Sequence, residues 1–159
     1  MAIETNLESG IEDIIRIIEN SAQNPFMVSI YGWPDSGKSY IIGRVGNYFE
    51  QKGMQVQRFS GSVNFSSFRG ISQNANLVLF HCGWDKDNGD EIYKKRGIDS
   101  YPHLKNREEN DPNLLAHKAG KRIHLNVGIQ NPRFFDRPDY SKLVGCYYLT
   151  INNNESREK

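Results

Sequence analysis

The residues best placed to do chemistry lie in the stretch GWPDSGKS, residues 32–39. It matches the pattern G-x-x-x-x-G-K-S/T at every required position. Gly32 and Gly37 are expected to take backbone angles that a side chain would forbid, turning successive N–H groups inward onto phosphate oxygens. A helix starting near Lys38 would add the positive end of its dipole. Lys38, read as a surface-facing ligand, is then in reach of the β- and γ-phosphates of a nucleoside triphosphate, and the Ser39 hydroxyl can ligate Mg2+. The predicted cradle is Gly32, Trp33, Pro34, Asp35, Ser36, Gly37, Lys38, Ser39 and Tyr40. Trp33 either covers the nucleotide or packs on the end of a sheet. A triphosphate would repel Asp35, which is expected to point away or to bond a backbone N–H within the turn. The competing reading is a chance match. Against it stands the context the motif requires, a buried strand before the loop and an apolar-faced helix after it.

That context is legible on both sides. Ser9 and Glu12 have capping-box spacing, and Ile11, Ile14, Ile15 and Ile18 recur at helical intervals, predicting an amphipathic helix over 9–22 that Asn24 and Pro25 break. FMVSIY, residues 26–31, is short and apolar and reads as a buried strand. After the loop, Ile41, Ile42, Val45, Tyr48 and Phe49 mark one face of a second helix, with Gly53 where a helix-ending glycine belongs. Further strands are predicted at 54–59, 76–82, 122–129 and 143–151. The segment 111–121 has Asp, Pro and Gly where a short helix needs them. Strands alternating with helices imply a three-layer α/β fold around a mostly parallel five-stranded sheet.

The 159 residues suit one domain, 1–152, followed by a polar tail, 153–159, with nothing to bury. A net charge of +1 leaves no footprint for nucleic acid or acidic lipid. No apolar run approaches the roughly 20 residues of a membrane helix, and the polar start is no secretion signal. Cys82 and Cys146 form no disulfide framework, which fits a reducing, cytoplasmic setting. His81, His103, His117 and His124 have no metal-cluster spacing, and His81 and Cys82 are adjacent on a strand, pointing to opposite faces. The polar segment 85–121 reads either as a solvated surface or as a lid-like or protein-partner-binding insertion, with Lys94, Lys95 and Arg96 as its phosphate-facing candidates.

With these residues in view, the chain resembles the P-loop NTPases, and more narrowly the small-molecule kinases typified by uridine kinase. The likeness rests on MVSIYGWPDSGKS (27–39) behind its leading helix, on NLVLFHCGW (76–84), and on DYSKLVGCYYLTINNN (139–154) with its trailing asparagines. It implies the P-loop fold, strand order 2-3-1-4-5 with helices on both faces, ATP and Mg2+ as cofactors, and phosphoryl transfer to a small hydroxyl compound. Kinases of this group carry an Asp after the second strand; here RFSGSVNFSSF, 58–68, has no acidic residue. Asp85 is the candidate that could serve instead as a catalytic, Mg2+-linked acid. Arg133 and Arg137, four apart, could offset charge on a transferring phosphate or be plain surface arginines. No N-K-x-D tetrapeptide occurs to read guanine, so ATP is the expected nucleotide. Two alternatives to a kinase stay open: a nucleotide-binding sensor or assembly module, and a simple NTP hydrolase.

Overall fold

The computed structural model describes residues 2–32, 36–59, 68–82, 119–121, 123–130 and 147–153. Among these residues six strands and two helices follow one another as β1 (Ala2–Asn6), α1 (Leu7–Glu19), β2 (Phe26–Gly32), α2 (Lys38–Gln51), β3 (Val56–Phe59), β4 (Leu77–Cys82), β5 (Leu125–Gln130) and β6 (Tyr147–Asn152). They form one sheet in the order β1-β6-β5-β2-β4-β3, and every neighbouring pair is parallel. The expected order 2-3-1-4-5 is therefore found in β3-β4-β2-β5-β6, but the sheet has six strands and not five. The addition is β1, which pairs with β6 from Ala2↔Tyr148 to Asn6↔Asn152. Its sequence, AIETN, carries no buried-strand pattern of its own, because an edge strand needs only a partner's backbone.

β2 is buried at all seven positions, as a central strand with a layer on each face must be. Its alternate residues Phe26, Val28 and Ile30 join Leu77, Leu79, Leu125, Val127, Ile129, Leu149 and Ile151 on one face, and α1 and α2 cover that face with Ile11, Ile14, Ile18, Ile41, Val45 and Phe49. The opposite face presents Phe80, stacked on Phe59 and tilted against Phe68. Both described helices thus lie on one side. The helix expected over 111–121 and the first residues of the strand expected at 143–151 fall largely outside the described residues.

α1 begins two residues before the predicted start. Its cap is Asn6 and not Ser9: the Asn6 side chain accepts the Ser9 N–H at 2.9 Å, so Ser9 already lies inside the first turn. The helix ends at Glu19 and not Ala22, ahead of the cis Asn24–Pro25 bond. α2 ends as its sequence predicts. Gly53, at φ 85, donates its N–H to Glu50 O at 3.0 Å, and Met54 donates to Phe49 O at 3.0 Å, closing a Schellman motif.

The two helices are fastened side by side at both ends. Near their starts Tyr40 donates its hydroxyl to Glu8 Oε1 at 2.9 Å, while Arg44 donates to the Tyr40 oxygen and, at 3.3 Å, to Glu8 Oε2. Near their ends Lys52 and Tyr48 donate to Glu19 Oε2 at 3.0 and 3.2 Å. Gly10 lets α1 approach β6; a Cβ there would come 2.5 Å from Ile151 Cγ1. The start of α2 is held in place by this packing.

Candidate functional site

Because all six strands are parallel, their carboxyl ends share one edge of the sheet. The chain leaves β2 toward β3 on one side and leaves β5 toward β6 on the other, and ligands of open α/β sheets bind where such connections part. Gly32, the last residue of β2, pairs there with Ile129 of β5. A Cβ on Gly32 would collide with the Ile129 carbonyl oxygen and lie 2.7 Å from Ser36 Oγ. Its φ is not in the left-handed region, so this glycine is required by space and not, as expected, by backbone angle. Gly37 is the residue that needs the angle, with φ 112 and ψ 15.

Gly37 is also the N-cap of α2, and it has no side chain with which to cap. No acidic residue occupies the first turn. The helix therefore presents its first amides and the positive end of its dipole without a side-chain cap, the arrangement that anions complete.

Lys38 does not face solvent as expected. It is only 8% exposed, and its Nζ donates to the Gly32 carbonyl oxygen at 2.6 Å. A partly dehydrated ammonium needs acceptors, and the end of β2 offers one. The consequence is a cation held inside the turn, between the end of β2 and the start of α2.

Ser36 is 1% exposed, and among the described residues its hydroxyl has no hydrogen-bond partner. An orphaned buried hydroxyl costs about 1–3 kcal/mol, and few native side chains bear that cost without reason. It lies against Gly32, inside the same turn, where a phosphate oxygen could accept its hydrogen bond. The Ser36 carbonyl, by contrast, is engaged: Asn153 Nδ2 donates to it at 2.8 Å. Asn153 is buried, so the expected polar tail does not begin at 153, and Asn152 belongs to β6; residues 154–159 lie outside the described residues. The only sequence signal for this contact was the run of three asparagines after a strand.

Ser39 is exposed beside the loop, where a hydroxyl can meet a hydrated cation. The Tyr40 side chain is directed to Glu8 and Arg44, leaving its main chain at the start of the helix. His81, half-buried, and Cys82 lie at the carboxyl end of β4, in register with Ile30 and Tyr31 of β2. The structure thus brings together Gly32, Ser36, Gly37, Lys38 and Ser39. Trp33, Pro34, Asp35, Asp85, Arg133 and Arg137 lie outside the described residues, as do Lys94, Lys95 and Arg96. Among the described residues no three His, Cys, Asp or Glu side chains gather as a metal site would require. Compared with protein-family models, curated proteins and solved structures, the chain matches none.

Proposed function

We propose that residues 32–40 form a P-loop that binds Mg2+–ATP, and that the protein is a uridine kinase-like phosphotransferase acting on a small hydroxyl compound in the cytoplasm. The observation that carries this reading is the start of α2: a left-handed Gly37 with no side-chain cap, next to a buried lysine turned onto Gly32 O. The strand order around β2 and the orphaned Ser36 hydroxyl support it. In this reading the loop amides cradle the phosphates, Lys38 exchanges Gly32 O for phosphate oxygens, and the Ser39 hydroxyl ligates Mg2+. Bound Mg2+ would neutralise charge on the phosphate oxygens. Asp85 serves as the metal-linked acid, and Arg133 and Arg137 offset charge on the transferred group.

Titration of Mg2+–ATP by calorimetry into the wild type and Lys38→Met tests the reading. Firm binding by the wild type, lost in a folded variant, is expected; equal affinities would reject it. ATP should compete at least as well as GTP for the site, since no N-K-x-D is present to read guanine. A clear preference for GTP would reject the adenine assignment.

A second reading, a nucleotide-binding sensor or assembly module with weak catalysis, is favoured by one feature. Residues 58–68 contain no carboxylate, and a positioned base is worth about 10²–10⁴-fold in rate. A panel of small hydroxyl compounds separates the readings. Turnover that Asp85→Asn lowers far more than it lowers ATP affinity supports the kinase; firm binding with no turnover supports the module. Release of phosphate to water alone would support a simple NTP hydrolase.

A further inference from the structure

From the contact between the end of β6 and the loop, we infer that Asn153 is a positioning residue, which aims the Gly37 N–H at bound phosphate by holding the peptide group between Ser36 and Gly37. The inference rests on the reading of 32–40 as a phosphate-binding loop. It begins from the chemistry of one peptide unit. The Ser36–Gly37 bond is trans, the one cis bond among the described residues being Asn24–Pro25. In a planar trans peptide the C=O and the N–H point in opposite directions. Asn153 Nδ2 holds the Ser36 C=O at 2.8 Å, so the Gly37 N–H is directed away from the end of β6.

A glycine at 37 gives that peptide little conformational restraint of its own. Gly37 takes φ 112, but glycine populates either sign of φ with little penalty, and a flip of the preceding peptide would reverse both dipoles. The Ser36 hydroxyl adds no restraint among the described residues, where it has no hydrogen-bond partner. A donor from outside the loop supplies a restraint that glycine does not. Asn153 is suited to it. The residue is 3% exposed, so water competes little for the contact. It also follows directly on β6, which is paired to β5, whose Ile129 packs on Gly32. The same two strands therefore brace the loop at Gly32 by close contact and at Ser36 by a hydrogen bond.

The test uses the full chain, with Mg2+–ATP and inorganic tripolyphosphate as separate probes for calorimetry and Asn153→Ala and the near-isosteric Asn153→Leu as variants. Thermal unfolding shows which variants are folded. We expect both probes to lose affinity by the same factor, on the order of ten-fold as for one misplaced hydrogen bond to a charged group. In amide NMR spectra, tripolyphosphate should move the Gly37 resonance strongly in the wild type and weakly in the variants. Wild-type affinity and a wild-type Gly37 shift in either variant would overturn the role of Asn153 and leave the phosphate site standing. Should both variants unfold, the wild type still decides: tripolyphosphate that binds without moving Gly37 overturns the inference. No binding of either probe by the wild type overturns the phosphate reading itself, and this inference with it.

Discussion

Helices α1 and α2 start within the same layer and are treated oppositely. At α1 the Asn6 side chain takes the Ser9 amide, and Glu8 adds a negative charge to the first turn, both favourable at a positive dipole end. At α2 the cap is a glycine, no acid follows, and the first helical residue is a lysine, the wrong sign of charge for that end. The weakness is confined to this point. The far end of α2 is closed by Gly53 and Met54 with its last carbonyls bonded. A chain that caps the start of α1 and closes the end of α2, yet leaves the start of α2 without a side-chain cap beside a buried cation and an orphaned hydroxyl, forgoes stability there, as the proposed anion site would require.

That contrast can be broken most severely at Lys38. Lys38→Met should weaken Mg2+–ATP binding by about 100-fold or more, the loss of a charge-assisted contact in a site of little water. Its melting temperature should hold or rise, because a buried ammonium is replaced by an apolar chain of similar length. Calorimetry and thermal unfolding of the same preparation give both numbers. Ser36→Ala should show the same opposition more gently. Removing an unpartnered buried hydroxyl should raise stability by up to about 1 kcal/mol, while ATP affinity falls several-fold, as for loss of about one neutral hydrogen bond. Denaturant melts read beside the titration would reject the site reading if both quantities fell.

At the conventional start, Asn6→Ala should cost about 1 kcal/mol of stability and leave ATP affinity unchanged. A large loss of affinity would show that the two starts are coupled through Glu8 and Tyr40. The smallest effect lies on the outer surface of the pair. Hydrogen bonds from Lys52 and Arg58 hold the Glu19 and Glu50 carboxyls below their ordinary values. A lowered folded pKa contributes stability that is fully present above the unfolded value, 4.5, and is lost as pH falls through the folded one. Glu19→Gln should therefore flatten the acid limb of melting temperature against pH slightly, without touching nucleotide binding. Both carboxylates are exposed, so salt should erase much of the difference.

What could be read in the sequence was what neighbouring residues decide. The run 26–31 is apolar because β2 is buried on both faces, and Gly53 is a glycine because its φ is 85. Lys38 and Ser39 announce themselves by spacing, and a mostly parallel sheet follows from alternation with helices, while the order of its strands is what the family resemblance implies. What could not be read depends on partners far along the chain. β1 is a strand only because β6 pairs with it. Asn6 displaces Ser9 as the cap because β1 runs straight into α1, a junction that the Ser9–Glu12 spacing does not reveal. Asn153 looked like tail because a buried amide has no hydropathy pattern; its partner is 117 residues away. Lys38, expected to face the surface as a phosphate ligand, is buried, and only the position of Gly32 O shows where it turns.

The pairing of β6 with both β1 and Ser36 has a consequence during synthesis. A nascent chain that has reached residue 130 contains β2, the loop and α2, but neither the partner of β1 nor the side chain that holds the Ser36 carbonyl. The earliest strand must wait for the latest, and contacts of such long sequence separation form slowly. The loop is complete in sequence long before it is complete in shape. On the ribosome, then, the proposed phosphate site is among the last parts of the molecule to be finished.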